Sequence, residues 1–558
     1  MNKRIASGYQ PLKWVLTLAL SVSAYFGLTA VAQKPAPGTP VVQVAPTITP
    51  EEFEAAKSIY FDRCAGCHGT LRTGATGPEI LPAKTIKMGT SRLRDILQYG
   101  MPGGMPAWGE DGILTEKEID MVARYIQQEP PQPPEMSLAQ IKESWKTYVP
   151  VDQRPGKPTH KRNWENYFGI ILRDEGKVAI IDGDTKEMIS TIKTGYAVHI
   201  LRSSMSGRYF YVVGRDGRIS LIDLWTTEPS LVAEVKPCID ARSVDSSKFK
   251  GKKPELNFSD TLAIVGCYWP PHYAIVDGLT LEPKKLVRTS GYTYDTNEYL
   301  PEVRVASIIA SHYDPLWVVS LKESGYVALV DYSDLTNLKI TNIEAERFLH
   351  DGGWDATKRY FLVAANMRNT VSVIDVKEKK FVTNIVTGNK PHPGRGANWV
   401  DPEYGPVWAT THIGEGRMSL IGTDPESRKY KKNAWKVVRD IELKGRAGGL
   451  FIKTHDKSPW VWTDAPLNSD AEKAQTICVL SKKTAAIEKC FRATDRGRIV
   501  HFEYNKAGDE VWVSVWDKEG EILVYDDKTM TLKKSIKGDW LITPTGKFNV
   551  YNTKNDVY

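Results

Sequence analysis

The feature that most constrains this chain is a set of eight short apolar segments, most of them ending in aspartate, that recur from about residue 165 to the end. They are Ala179-Ile180-Ile181-Asp182, Ser220-Leu221-Ile222-Asp223, Ala274-Ile275-Val276-Asp277, Ala328-Leu329-Val330-Asp331, Val373-Ile374-Asp375, Leu420 to Asp424, Cys478-Val479-Leu480-Ser481 and Leu523-Val524-Tyr525-Asp526. Successive copies lie 41 to 57 residues apart, which matches one propeller blade and is too long for the strand spacing of a β-sandwich. Eight copies predict eight four-stranded blades around a central channel, with room at one mouth for a bulky planar cofactor. The 16 Trp, 25 Tyr and 43 Gly among 558 residues agree, since they suit many short strands and turns.

Upstream the texture is helical. Thr49-Pro50-Glu51-Glu52 supplies a capping hydroxyl, a first-turn proline and a capping glutamate, and Phe53, Ala56 and Tyr60 then fall on one helical face. Thr115 and Glu118 form a second capping box ahead of Ile119, Val122 and Ile126. Pro130-Pro131-Gln132-Pro133-Pro134 stops the helical unit and is stiff enough to space two domains. The predicted architecture is therefore a small all-α domain (49–129), a Pro-rich linker (130–164) and an all-β eight-bladed propeller (165–558).

The N-terminus has the form of a secretory signal. Lys3, Arg4 and Lys13 precede an apolar stretch from Trp14 to Leu28, and Ala30-Val31-Ala32 provides a cleavage pattern. Residues 1–32 are read as a signal peptide, residues 33–48 as a flexible arm, and the destination as the periplasm. An uncleaved anchor is the alternative; after cleavage no stable membrane insertion is expected. The full chain carries a net charge of +7, falls to about +4 once Lys3, Arg4 and Lys13 are removed, and has no basic run of the kind that binds nucleic acid.

Cys64-Ala65-Gly66-Cys67-His68 is the strongest local signal. Two thiols at this spacing can add to the vinyl groups of one haem while the adjacent imidazole reaches its iron, so Cys64 and Cys67 are expected to attach haem c and His68 to ligate it. A thioredoxin-like pair would need a βαβ context, and a zinc site two further ligands. Between residues 33 and 134 His68 is the sole histidine, which leaves a thioether as the second axial ligand. Met105 is preferred over Met101, although either can serve as plain packing.

Three further histidines sit in distinctive settings: Thr194-Gly195-Tyr196-Ala197-Val198-His199, Phe348-Leu349-His350-Asp351-Gly352-Gly353-Trp354-Asp355, and Lys390-Pro391-His392-Pro393-Gly394-Arg395-Gly396-Ala397-Asn398. Together with Arg63 to Gly69, the Pro-rich linker and the ending Leu541 to Asn552, they make the chain resemble the cytochrome cd1 nitrite reductases from Pro50 to Tyr558. The resemblance implies an eight-bladed propeller holding non-covalent haem d1, His199 as proximal iron ligand, and His350 and His392 over bound nitrite. Reducing nitrite to nitric oxide and water takes one electron and two protons, and imidazole titrates in the range that suits two such donors.

Haem d1 carries carboxylates, which call for fork-shaped cations. The resembling positions are Arg173, Arg202, Arg215, Arg242 and Arg395, with Ser243, Tyr268 and Thr545 as further contacts. Members of the family carry Gln where this chain has His501, whose imidazole is expected to replace that polar contact. Some members also bring a Tyr or His from the arm to an iron; residues 33–49 contain neither, so no arm-mediated ligand switch is expected. The resemblance further implies a small electron donor, a c-type cytochrome or cupredoxin, a homodimer, and side reduction of oxygen to water. A haem d1 maturation or carrier protein with the same two-domain layout is the runner-up. Cys238, Cys267, Cys478 and Cys490 are expected as buried free thiols, though Cys478 and Cys490 are close enough in sequence to lie opposite each other.

Overall fold

The computed structural model describes residues 44–557 apart from 75–76, 102–104 and 132–134. The expected signal and most of the arm lie outside the described residues.

Both capping boxes form: Thr49 caps Pro50–Ile59 and Thr115 caps Glu116–Tyr125, each with its third-position glutamate bonded back. The first helix continues into a π-helical stretch, Tyr60–Cys64, and then into Ala65–His68. Ala56, Tyr60 and Cys64 pack with Ile119, Val122 and Ile126 in one core, to which Pro82–Met88 and Thr90–Tyr99 add the remaining helical walls. The stretch read as a linker is partly built into the propeller. Leu138–Ser144 is a helix whose Ile141 is fully buried, and Lys146–Thr147 pairs with Ser230–Val235 as a fifth strand on one blade.

Eight antiparallel four-stranded sheets follow, and the ring is closed by the C-terminal strand Lys547–Tyr551 pairing with Tyr167–Leu172. Each of the eight sequence repeats is the third strand of its blade. The aspartates explain the recurrence: Asp182, Asp277, Asp424 and Asp526, for example, accept hydrogen bonds from backbone N–H groups two or three residues on, making the turn into the fourth strand. The third strands are buried almost throughout because blades cover them on both faces.

The cysteine expectation is corrected. Cys238–Cys267 and Cys478–Cys490 are disulfides, and among the described residues only Cys64 and Cys67 are free. Cys478 faces Cys490 directly across the third and fourth strands of the seventh blade. Cys238 lies just before the innermost strand of the third blade and Cys267 on its neighbour, a meeting set by the blade's path that a separation of 29 residues does not reveal.

Candidate functional site

The innermost strands of the eight blades begin at one mouth of the channel, and there regular pairing is interrupted. A regular strand sends consecutive side chains to opposite faces; a bulge frees extra residues to turn inward. His199 is skipped between Val198 and Ile200, Arg242 between Ala241 and Ser243, His350 and Asp351 between Leu349 and Gly352, residues 393–396 between His392 and Ala397, and His501 between Val500 and Phe502. His501 adopts the left-handed region at φ 58°, and Gly394 and Gly396 do so at 62° and 72°. The expected site residues, scattered over three hundred positions of sequence, are thus brought to one rim.

They line a cavity of about 1310 Å³ between the helical domain and the propeller. Arg173, His199, Arg202, Arg215, Arg242, Ser243, His350, His392, Arg395, His501 and Thr545 face it, with Cys67 and Met105 from the helical side. Cys64 and His68 are buried behind that wall, and Tyr268 lies beneath the guanidiniums of Arg215 and Arg242. His68 Nδ1 is 2.8 Å from the carbonyl of Pro78, which fixes the proton there and leaves the Nε2 lone pair available to a metal. Met105 is half-buried against the helical core, and its backbone pairs with that of Met101, whose side chain is more exposed.

His350 and His392 are adjacent, with ring centroids 5.1 Å apart. Asp351 Oδ1 is 3.0 Å from His350 Nδ1, and its Oδ2 is 3.4 Å from His392 Nδ1. His392 Nδ1 is also 2.9 Å from the carbonyl of Leu450. Burial pushes the His350 imidazole down to about 3 against the pull of Asp351, so this ring is neutral at pH 7. Burial, reinforced by Arg242 and Arg215, takes His199 well below the usual imidazole range. It therefore stands as a neutral nitrogen donor, the form that binds a metal. His199 belongs to the second blade and His392 to the sixth, on opposite sides of an eight-bladed ring.

The arginines divide. Arg215 gives Nε and Nη2 to Asp240 at 2.6 Å each, so it is anchored as well as cationic. Arg173 Nη2 donates to the Asp62 carbonyl at 2.6 Å, and Thr545 Oγ1 donates to Asp174 at 3.0 Å. Ser243 Oγ accepts from the Ile308 N–H at 3.0 Å. By contrast Arg395 Nη1, Tyr268 Oη and Lys322 Nζ are buried without a hydrogen-bond partner among the described residues. Groups of this kind cost free energy unless something completes them. A large anionic macrocycle fits that requirement at Arg395, which lines the cavity, as two free thiols beside a histidine with its Nε2 lone pair available fit a covalent haem.

Residues 162–553 match the family described as Cytochrome D1 heme domain, and residues 51–126 match Cytochrome C oxidase, cbb3-type, subunit III. The chain is 51% identical to a nitrite reductase of Stutzerimonas stutzeri, over 93% of this chain and 97% of that one. The chain belongs to the cytochrome cd1 nitrite reductases. Its cofactors are haem c and haem d1. A dihydro-heme d1 dehydrogenase of Pseudomonas aeruginosa is 26% identical over 89% of this chain and 93% of its own. A solved structure, dihydro-heme d1 dehydrogenase NirN in complex with DHE, has the same fold, with a TM-score of 0.67 at 24% identity over 90% of this chain and 99% of that one.

Around this cd1 site lie residues that sequence reasoning missed. Asp351 follows His350 directly, and a carboxylate beside a candidate acid is a signal that could have been read. Arg304, Glu302 and Glu323 had none. Arg304 is 1% exposed, donates Nε to Glu323 at 2.7 Å, and reaches the carbonyls of Ala65 and Gly74 with its two terminal nitrogens. Glu302 accepts the N–H groups of Thr70 and Leu71 at 2.8 and 3.0 Å. The fourth blade thereby grips both sides of the haem c segment. Among the described residues no helix is long and apolar enough to cross a membrane.

Proposed function

We propose that the protein is a periplasmic, NO-forming nitrite reductase: it takes electrons from a c-type cytochrome or cupredoxin through haem c and reduces nitrite, one electron and two protons at a time, to nitric oxide and water. The paired imidazoles of His350 and His392 at the rim of a cavity otherwise rich in arginine carry this reading. When bound, haem d1 supplies the iron that accepts nitrite and the electron that reduces it. His199 would hold that iron from the opposite side of the ring, while His68 and Met105 would hold the iron of haem c. Arg242, Arg395 and Arg202 would take the macrocycle's carboxylates, with Arg173, Arg215, Ser243, Tyr268, His501 and Thr545 completing its surroundings. The assembly is proposed as a homodimer, and oxygen as a second substrate of the same site, reduced to water in a side reaction.

The chain's own part in the chemistry is to bring protons. His350 is neutral at pH 7 because burial disfavours its cation. An anion entering the same cavity offsets that penalty, so nitrite and a proton should bind together. The imidazolium so formed donates from Nε2 to a nitrite oxygen, and His392 provides the second donor for departure of that oxygen as water.

Optical spectra of the purified holoenzyme with nitric oxide detection provide the test. His350→Ala and His392→Ala should keep both haem band sets and lose nitric oxide formation by about 10²- to 10⁴-fold, the usual worth of a positioned general acid. Nitrite affinity should weaken as pH rises, approaching tenfold per unit for one coupled proton. Retained turnover in both variants would defeat the proton-donor reading. Two bound haems with no turnover in the unmodified chain would favour the haem d1 maturation or carrier reading; the Pseudomonas relative is named a dihydro-heme d1 dehydrogenase.

A further inference from the structure

We infer that Asp351 is a positioning residue that fixes the tautomer of His350 and, together with the Leu450 carbonyl, that of His392, so that each presents Nε2 as the position for a transferable proton. The inference rests on the reading that these two histidines donate protons to nitrite.

The starting point is the bulge. Leu349 and Gly352 keep their strand partners while His350 and Asp351 are both looped out, so two consecutive side chains face the cavity where a regular strand would send one away. Two glycines make the bulge fit. A Cβ at Gly353 would overlap the carbonyl of Arg395 on the sixth blade, and one at Gly352 would overlap the carbonyl of Leu362. Blades five and six therefore approach at this level closely enough for Asp351 to reach the partner strand. Gly394, at φ 62°, turns its N–H toward Asp351 Oδ2 at 2.6 Å. The same oxygen lies 3.4 Å from His392 Nδ1, and the other lies 3.0 Å from His350 Nδ1.

The tautomers follow from donor and acceptor chemistry. An ionised carboxylate and a peptide carbonyl only accept. His350 Nδ1 faces Asp351, and His392 Nδ1 faces both Asp351 and the Leu450 carbonyl. Each Nδ1 must therefore carry its hydrogen, and each neutral ring has its lone pair at Nε2. Asp351 stays ionised: burial opposes its charge, but His392, His350 and the Gly394 N–H outweigh that and hold its carboxyl below the ordinary range. Other charged groups acting on His350 are Lys322 and His392, both of which disfavour its cation, and Asp351 is the partner that favours it. A second proton taken up by either ring has only Nε2 to occupy; without the carboxylate the His350 ring could exchange tautomers and turn, while the Leu450 carbonyl still holds the His392 hydrogen.

Asp351→Asn tests this in the holoenzyme. With the amide oxygen accepting the Gly394 N–H, the NH₂ faces His350 Nδ1 and drives that ring's hydrogen to Nε2 before nitrite arrives. Loss of the negative charge also makes the His350 ring harder to protonate, since Asp351 is the partner that favours its cation. We expect kcat to fall on the order of 10²-fold, and the decline of kcat/KM with rising pH to move to lower pH. The d1 absorption bands should be unchanged. Asp351→Glu, which keeps the charge, should return the pH profile towards its original position. If Asp351→Asn fails to accumulate with both haems, Asp351→Ser, smaller and uncharged, carries the same expectation. A wild-type pH profile in a fully loaded Asn or Ser variant overturns the inference. Failure of the underlying reading is distinguishable, because it would appear as retained turnover in His350→Ala and His392→Ala.

Discussion

The two cofactor regions are built in opposite ways. The candidate haem c attachment occupies five consecutive residues, Cys64 to His68, on the continuation of one helix, and the orientation of its histidine is set locally by packing and by the Pro78 carbonyl. The propeller site draws His199, Arg242, His350, His392 and His501 from five blades, each turned inward by an irregularity in strand pairing. A contiguous site depends on its own segment. A dispersed one depends on closure of the whole ring, down to the pairing of Lys547–Tyr551 with Tyr167–Leu172.

If the two are independent in this sense, removing one should spare the other. The double substitution Cys64→Ser with Cys67→Ser should abolish covalent haem, seen as loss of the c-type signal in the pyridine haemochrome spectrum, and reduce donor-driven nitrite turnover to background. Binding of haem d1 to the propeller, followed by optical titration, should survive. Loss of d1 binding as well would show that the cavity wall contributed by Cys67 and Met105 is essential to the second site.

The point where the regions are joined offers a smaller but sharper effect. Arg304 pairs with Glu323 and also holds the carbonyls of Ala65 and Gly74, while Glu302 grips Thr70 and Leu71. Arg304→Met keeps the side chain's length and strands buried carboxylates, a loss typically worth about 3–5 kcal/mol. Calorimetry should report a lower unfolding temperature. Burial already raises Glu302, and Arg304 is the largest opposing influence. Without it the folded-state pKa rises further above the unfolded value. A carboxyl so raised destabilises increasingly as pH increases through it, so the variant's deficit should shrink as the pH is lowered. A deficit that did not change with pH would mean that the clamp acts through packing rather than charge.

What was legible in the sequence follows the same division. The helical boundaries were readable because capping boxes are local, and the blade count because an aspartate-closed turn recurs after the third strand of seven of the eight blades, with Ser481 in that place in the other. The candidate haem c site of Cys64, Cys67 and His68 could be proposed from spacing alone. The propeller residues were legible only through resemblance, since no spacing rule relates His199 to His392; their convergence is a property of ring closure and of bulges that no periodicity announces. Arg304 reads as an ordinary strand-entry arginine in Val303-Arg304-Val305, and its burial comes from a helical domain more than two hundred residues away. The disulfide Cys238–Cys267 was illegible for the same reason: its partners meet through the path of a blade.

His501 provides the smallest and most discriminating test, because it is the position where this chain departs from the expected glutamine. Its ring stands edge-on to Phe451 at 4.4 Å, and Nδ1 lies 3.3 Å from Asn549 Oδ1. Burial, aided by Lys453, pushes it down to about 3, so near pH 7 it is a neutral hydrogen-bonding group, as a glutamine amide would be. His501→Gln should therefore exchange one neutral polar contact for another, at a cost of about 1 kcal/mol or less, or roughly fivefold in haem d1 affinity. The bulge itself should persist, because its backbone is tied by the His501 N–H to Asp464 at 3.0 Å rather than by the ring. Nitrite turnover measured from pH 6 to 8 should keep its shape in the variant. A change in that shape would mean that His501 gains a proton when the anionic cofactor is bound, and the dispersed site would then contain three proton-carrying histidines instead of two.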